Sequence, residues 1–66
     1  SNERITDKKE LTELCKKVIT SNKIAVEDFK SGKKESFNFL MGEVMKLSNK
    51  RADFKIASEC VRELLK

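Results

Sequence analysis

Apolar residues return along this chain every three or four positions, and no segment shows the strict alternation of a strand. Leu11, Leu14, Cys15, Val18 and Ile19 stand at i, i+3, i+4, i+7 and i+8, one stripe on a 3.6-residue period. Asp7 precedes the stripe and Glu10 follows Asp7 by three, a capping-box spacing with Asp in place of Ser or Thr. The pattern predicts a helix over about 8–21. Ile24, Ala25, Val26 and Phe29 predict a shorter second helix, about 23–31, with Asn22 capping its start. Gly32 is placed to take the left-handed conformation at its end.

A third helix starts after Gly32, its buried stripe formed by Phe37, Leu40, Met41, Val44, Met45 and Leu47 or Ser48. Ser48-Asn49-Lys50-Arg51 reads as a basic turn. Asp53 then caps a fourth helix, about 54–65, where Ala57, Cys60, Val61, Leu64 and Leu65 repeat the first stripe, with Ile56 alongside. The expected fold is all-α, a small orthogonal bundle of about four helices in a single domain over 1–66. The polar first residues, 1–6, are expected to be disordered or foreign to the domain. No apolar run exceeds three residues, as at Phe39-Leu40-Met41, so no membrane-spanning segment is expected.

Composition narrows the function. The chain has 66 residues, a net charge of +4 and no histidine. Without His there is no Ser-His or Cys-His dyad and no usual zinc-hydrolase ligand set. A domain this small rarely encloses both a substrate pocket and a catalytic constellation, so binding is the expected role, with no catalytic residue and no metal. A chain near 60 residues buries only about 60% of its unfolded surface, and natural domains of that size often lean on neighbours. The chain is accordingly expected to be an excised piece of something larger.

Cys15 and Cys60 both lie on apolar stripes and read as small buried side chains, with a disulfide between the first and fourth helices as the alternative. Glu27 and Asp28 are adjacent and splay apart on a helix, which suits a solvated face better than acid–base work. Gly42 in mid-helix costs roughly 1 kcal/mol relative to Ala. Two explanations offer compensation: another helix packs closely there, or a ligand backbone approaches the bare surface. Lys30, Lys33 and Lys34 surround Gly32, while Lys46, Lys50 and Arg51 follow the third helix. Such a surface favours nucleic acid through counterion release, especially beside a helix N-terminus, although it also fits a merely solvated face.

The middle of the chain resembles one family. Ala25-Val26-Glu27-Asp28-Phe29-Lys30-Ser31-Gly32-Lys33 is similar to its A-V-x-D-Y/F-K-x-G-K segment. Phe39-Leu40-Met41-Gly42-Glu43-Val44-Met45-Lys46 is similar to its F-L-x-G-Q-V-M-K segment. The closing Glu59-Cys60-Val61-Arg62-Glu63-Leu64-Leu65 resembles its amphipathic last helix. The family is the C-terminal tail of GatB, the B component of the bacterial aspartyl/glutamyl-tRNA amidotransferase, shared with YqeY-like proteins. The resemblance runs from about Val18 to Leu65.

The resemblance implies a tRNA-binding tail that grips the outer corner of the tRNA near the D-loop. The parent enzyme, a ligase, converts Glu-tRNA(Gln) or Asp-tRNA(Asn) to the amidated form, using ATP and Mg²⁺ and ammonia from its glutaminase component, GatA. Its partners would be tRNA and, through the parent GatB, the amidotransferase components GatA and GatC, in the cytoplasm, with no DNA and no membrane. The nucleic-acid-binding residues so implied are Lys30, Gly32, Lys33, Gly42 and Lys46, with Lys34, Lys50 and Arg51 added by their charge and position.

The chain departs from the family pattern at Asn22-Lys23 and Asp53-Phe54, where Asn-Pro is usual, and at Asn38 and Lys50, which replace glycines. Phe29 replaces the common Tyr. Two alternatives stand beside this reading: a free-standing YqeY-like protein, and a helical protein-interaction module without RNA affinity.

Overall fold

The computed structural model describes residues 3–66, and the helices fall where the periodicity places them. They are α1 (Lys8–Ser21), α2 (Lys23–Lys30), α3 (Glu35–Leu47) and α4 (Phe54–Leu64). Among the described residues there is no strand, only an isolated bridge between Ile5 and Ala52. The bundle measures 37 × 18 × 18 Å. α1 packs chiefly on α4, α2 on α3, and α3 joins the two pairs.

The core follows from the stripes. Leu11, Cys15 and Val18 of α1 meet Leu40, Met41 and Val44 of α3 and Ala57, Cys60 and Val61 of α4, all buried. Both cysteines are free thiols, so the small-side-chain reading holds and no disulfide joins them. α2 contributes no fully buried residue. Ala25, Val26 and Phe29 are half-buried against the core, and Ile24, one of the apolar residues that predicted this helix, is 76% exposed. The Phe29 and Phe37 rings lie 5.9 Å apart, tilted, and the Arg62 guanidinium sits 4.9 Å above the Phe37 ring. That stack ties α2, α3 and α4 together.

Caps close the helices with one change of role. Asp7 accepts from the Lys9 amide at 3.4 Å and Asp53 from the Ile56 amide at 3.0 Å. Asn22 does not cap α2 with its side chain. Its Nδ2 instead donates to the Val18 carbonyl at 2.8 Å, so it closes α1. Gly32 has φ 111°, the left-handed region expected of it. In the α3–α4 turn, buried Ser48 is the hub. Its hydroxyl donates to the Met45 carbonyl at 3.0 Å and accepts from the Ala52 amide at 3.0 Å. Asn49 and Lys50 carry φ of 57° and 63° there, a conformation that costs an L-residue roughly 1–2 kcal/mol.

Of the segment 1–6, expected to be disordered or foreign to the domain, residues 1 and 2 lie outside the described residues, and Ile5 packs on the bundle. Ile5 is buried. Its amide donates to the Arg51 carbonyl at 2.6 Å, and its own carbonyl accepts from the Asp53 amide at 2.9 Å. Arg51 Nε also donates to the Glu3 carbonyl at 2.9 Å, and Arg4 pairs with Asp53 at 3.9 Å. This short strap runs beside the α3–α4 turn and adds Ile5 to the core cluster.

Candidate nucleic-acid interface

The basic residues singled out in the sequence occupy three places along α3. Lys30 ends α2 and is exposed. Gly32 and Lys33 form the α2–α3 turn, and Lys34 is the N-terminal flanking residue of α3. The turn is pinned: the Lys33 amide donates to the Asp28 carbonyl at 2.9 Å, and Lys33 Nζ lies 3.8 Å from the Asp28 carboxylate. Lys33 thus reaches solvent with part of its charge balanced by Asp28.

Gly42 and Lys46 lie on the outer face of α3, one turn apart. A Cβ at Gly42 would meet nothing within 4 Å. The helix-packing explanation for this glycine is therefore overturned, and the bare surface remains. Lys46 is exposed and pairs with Glu43 at 3.5 Å. Lys50 and Arg51 lie in the α3–α4 turn, at the other end. The length of α3 separates the two basic ends by about 20 Å. Gly42 and Lys46 lie within α3 and the other six flank its two ends, so the eight are spread out instead of converging on a point, a layout suited to tracking a phosphate backbone. Arg51 differs from the rest. It is half-buried and its Nε is held by the Glu3 carbonyl, so it serves the strap as well as any ligand.

The structure adds residues the sequence did not single out. A groove of about 780 Å³ runs between the outer faces of α1 and α3, lined by Lys16, Lys17, Glu43, Lys46 and Leu47 among others. A second, of about 590 Å³, lies between the start of α2 and α3, walled by Lys23, Ile24, Ser36 and Phe39. The two abut at Thr20, Ser21 and Asn22. Phe39 is 52% exposed. Its sequence signal was available: three and four residues on stand Gly42 and Glu43, so Phe39 lies off the buried stripe.

Among the described residues no group of three or more His, Cys, Asp or Glu could hold a metal ion, and no helix is long and apolar enough to cross a membrane. One thiol is perturbed. Burial, with a smaller contribution from charge on Cys60, pushes Cys15 up to about 11. It sits inside the core with Sγ 3.7 Å from the Ala57 carbonyl, away from this surface.

The fold is a small four-helix bundle with an uncovered glycine on α3 and basic residues at both ends of that helix. The chain belongs to a family described as the GatB domain, whose model matches residues 2–65. It is 47% identical over 62 residues to the B chain of the aspartyl/glutamyl-tRNA(Asn/Gln) amidotransferase of Clostridium beijerinckii, covering 94% of this chain and 13% of that protein. The protein of the same name from Methanocaldococcus jannaschii is 46% identical over 61 residues, 92% of this chain and 13% of its own length. That of Caldicellulosiruptor saccharolyticus is 40% identical over 62 residues, 94% of this chain and 13% of its own. The chain thus spans about 13% of the length of the relatives it matches. No solved structure matches it.

Proposed function

We propose that this chain is the tRNA-binding tail of a GatB protein. In that role it would help the amidotransferase complex convert Glu-tRNA(Gln), Asp-tRNA(Asn) or both to the amidated forms. The observation that carries the reading is the outer face of α3. There Gly42 leaves the helix backbone uncovered, Lys46 stands one turn on, and the basic turns lie at either end. A bare helix surface lets a sugar–phosphate strand come close, and the flanking lysines neutralise its charge. Such contacts read shape and position instead of sequence, as suits a folded RNA.

ATP and Mg²⁺ activation and the supply of ammonia are assigned to the remainder of the complex, GatA and GatC included. The chain's own part is to bind and orient the RNA.

The test is a salt series of binding isotherms with folded tRNA. Reversing Lys33 and Lys34 to Glu places two repulsive charges at one end of the strip without touching a buried residue. The expected result is an affinity loss of at least about tenfold and a salt slope shallower by about one to two. Equal affinity of the unaltered chain for tRNA and for an unstructured RNA of the same length would overturn the reading.

A further inference from the structure

The groove between α2 and α3 is built differently from the phosphate strip beside it. Among its lining residues are two large apolar side chains that face solvent, Ile24 at 76% exposure and Phe39 at 52%. A small domain gains stability by burying such side chains, yet these two stay outside the core. Polar groups of the α1–α2 junction, Thr20 and Ser21, line the same groove, together with Lys23 and with Asp28, whose carboxylate lies 3.8 Å from Lys33 Nζ. Among the described residues Lys23 is in no ion pair, so its charge is available to a phosphate.

Phe39, Gly42 and Lys46 fall at i, i+3 and i+7 on α3, one stripe of its outer face. From Phe39 to Lys46 the helix rises about 10 Å. A strand laid along this stripe would pass its backbone over Gly42 and place a phosphate at Lys46. The preceding base would then lie beside the Phe39 ring. An aromatic face opposite an aliphatic one, with hydrogen-bonding groups at the edge, is the chemistry that holds a base outside its stack.

We propose that this groove holds one unstacked nucleobase of the bound RNA, packed between Phe39 and Ile24. The inference rests on the tRNA-binding reading and extends it from backbone contact to a base subsite. It assigns Phe39 the role of a stacking residue. The occupant is a base in preference to an apolar peptide because Phe39 belongs both to the groove and to the glycine–lysine stripe, and the Lys23 cation lines the groove.

The experiment is a set of anisotropy titrations with unmodified tRNA(Gln) at low, intermediate and moderate salt. It compares the 66-residue chain with its Phe39→Ala, Phe39→Tyr and Lys46→Ala variants, each checked for helix content first. Loss of one base–aromatic stack should weaken binding by about tenfold in Phe39→Ala. The slope of log affinity against log salt should not change, because Phe39 carries no charge. Phe39→Tyr keeps a ring and should bind within a few-fold of the original. Lys46→Ala should instead lower the slope, by about one.

If Phe39→Ala binds as the original does while Lys46→Ala weakens binding, the base subsite is overturned and the tRNA-binding reading stands. If the original chain shows no affinity at low salt, both fall. If Phe39→Ala leaves RNA binding intact but alters self-association in sedimentation, the groove is a protein-docking face and the proposal is overturned.

Discussion

Gly42 costs its helix roughly 1 kcal/mol relative to alanine, and no neighbouring atom in the fold offsets it. Gly42→Ala should therefore stabilise the domain by about that amount, raising the melting temperature by roughly 4–8 °C. The same methyl group would hold an RNA strand off the α3 backbone, so tRNA affinity should fall in the variant that melts higher. Opposite signs in the two assays are the expected signature. Loss of stability would mean that the glycine serves the fold.

Cys15 makes a separate prediction. Its thiol is neutral in the core and is raised from an ordinary value of 9.0 to about 11, first by burial and then by charge on Cys60. The folded state thus holds this proton more tightly than the unfolded chain. The corresponding stability is fully present below about pH 9 and is lost as pH rises towards 11. Urea denaturation across that range should show a falling midpoint, with the part due to Cys15 absent in Cys15→Ala.

At the scale of elements, the strap formed by residues 3–6 is the part whose contribution is easiest to measure. Ile5 is 7% exposed and its backbone is bonded to both Arg51 and Asp53. Ile5→Ala should cost about 2 kcal/mol, read as a lower urea midpoint. An unchanged midpoint would show that the strap adds nothing to the bundle. The strap also explains what the sequence could and could not convey. The four helices were legible because each carries its own 3.6-residue stripe and its own punctuation at Asp7, Gly32 and Asp53. A lone Ile5 among polar neighbours has no period, and its burial depends on a turn 46 residues away at Arg51. Ile24 failed the other way. It was counted with the apolar residues of α2, yet it stands five positions before Phe29, about 140° round the helix, and so faces away from the core that Ala25, Val26 and Phe29 pack against. Asn22 was legible as a cap but not as a cap for the helix behind it, since both helices meet there.

The candidate interface divides on the same grounds. Charge runs and glycines are visible in a linear string, so the lysines on either side of α3 could be named. The grooves could not, because Lys16, Lys17 and Lys23 join Phe39 and Lys46 only once α1, α2 and α3 have packed.

For the whole molecule, the net charge of +4 is carried on a body only 37 Å long. The strip along α3 covers about half of that length by the helical rise. A module of this size offers only a handful of phosphate contacts, so its affinity should be modest and strongly salt-dependent. That suits a tail that adds shape discrimination to a larger enzyme. The chain's place as about 13% of its relatives' length is in keeping with such a division of labour.

The most direct test of the central claim is an NMR titration of the 66-residue chain, following backbone amides at low and moderate salt. Unmodified tRNA(Gln) is compared with duplex DNA of equal charge. The tRNA-binding account predicts shifts with tRNA at Lys30–Lys34, around Gly42 and from Lys46 to Arg51, and weaker, diffuse shifts with DNA. A folded sample that shows no shifts with either, or the same shifts with both, would contradict it.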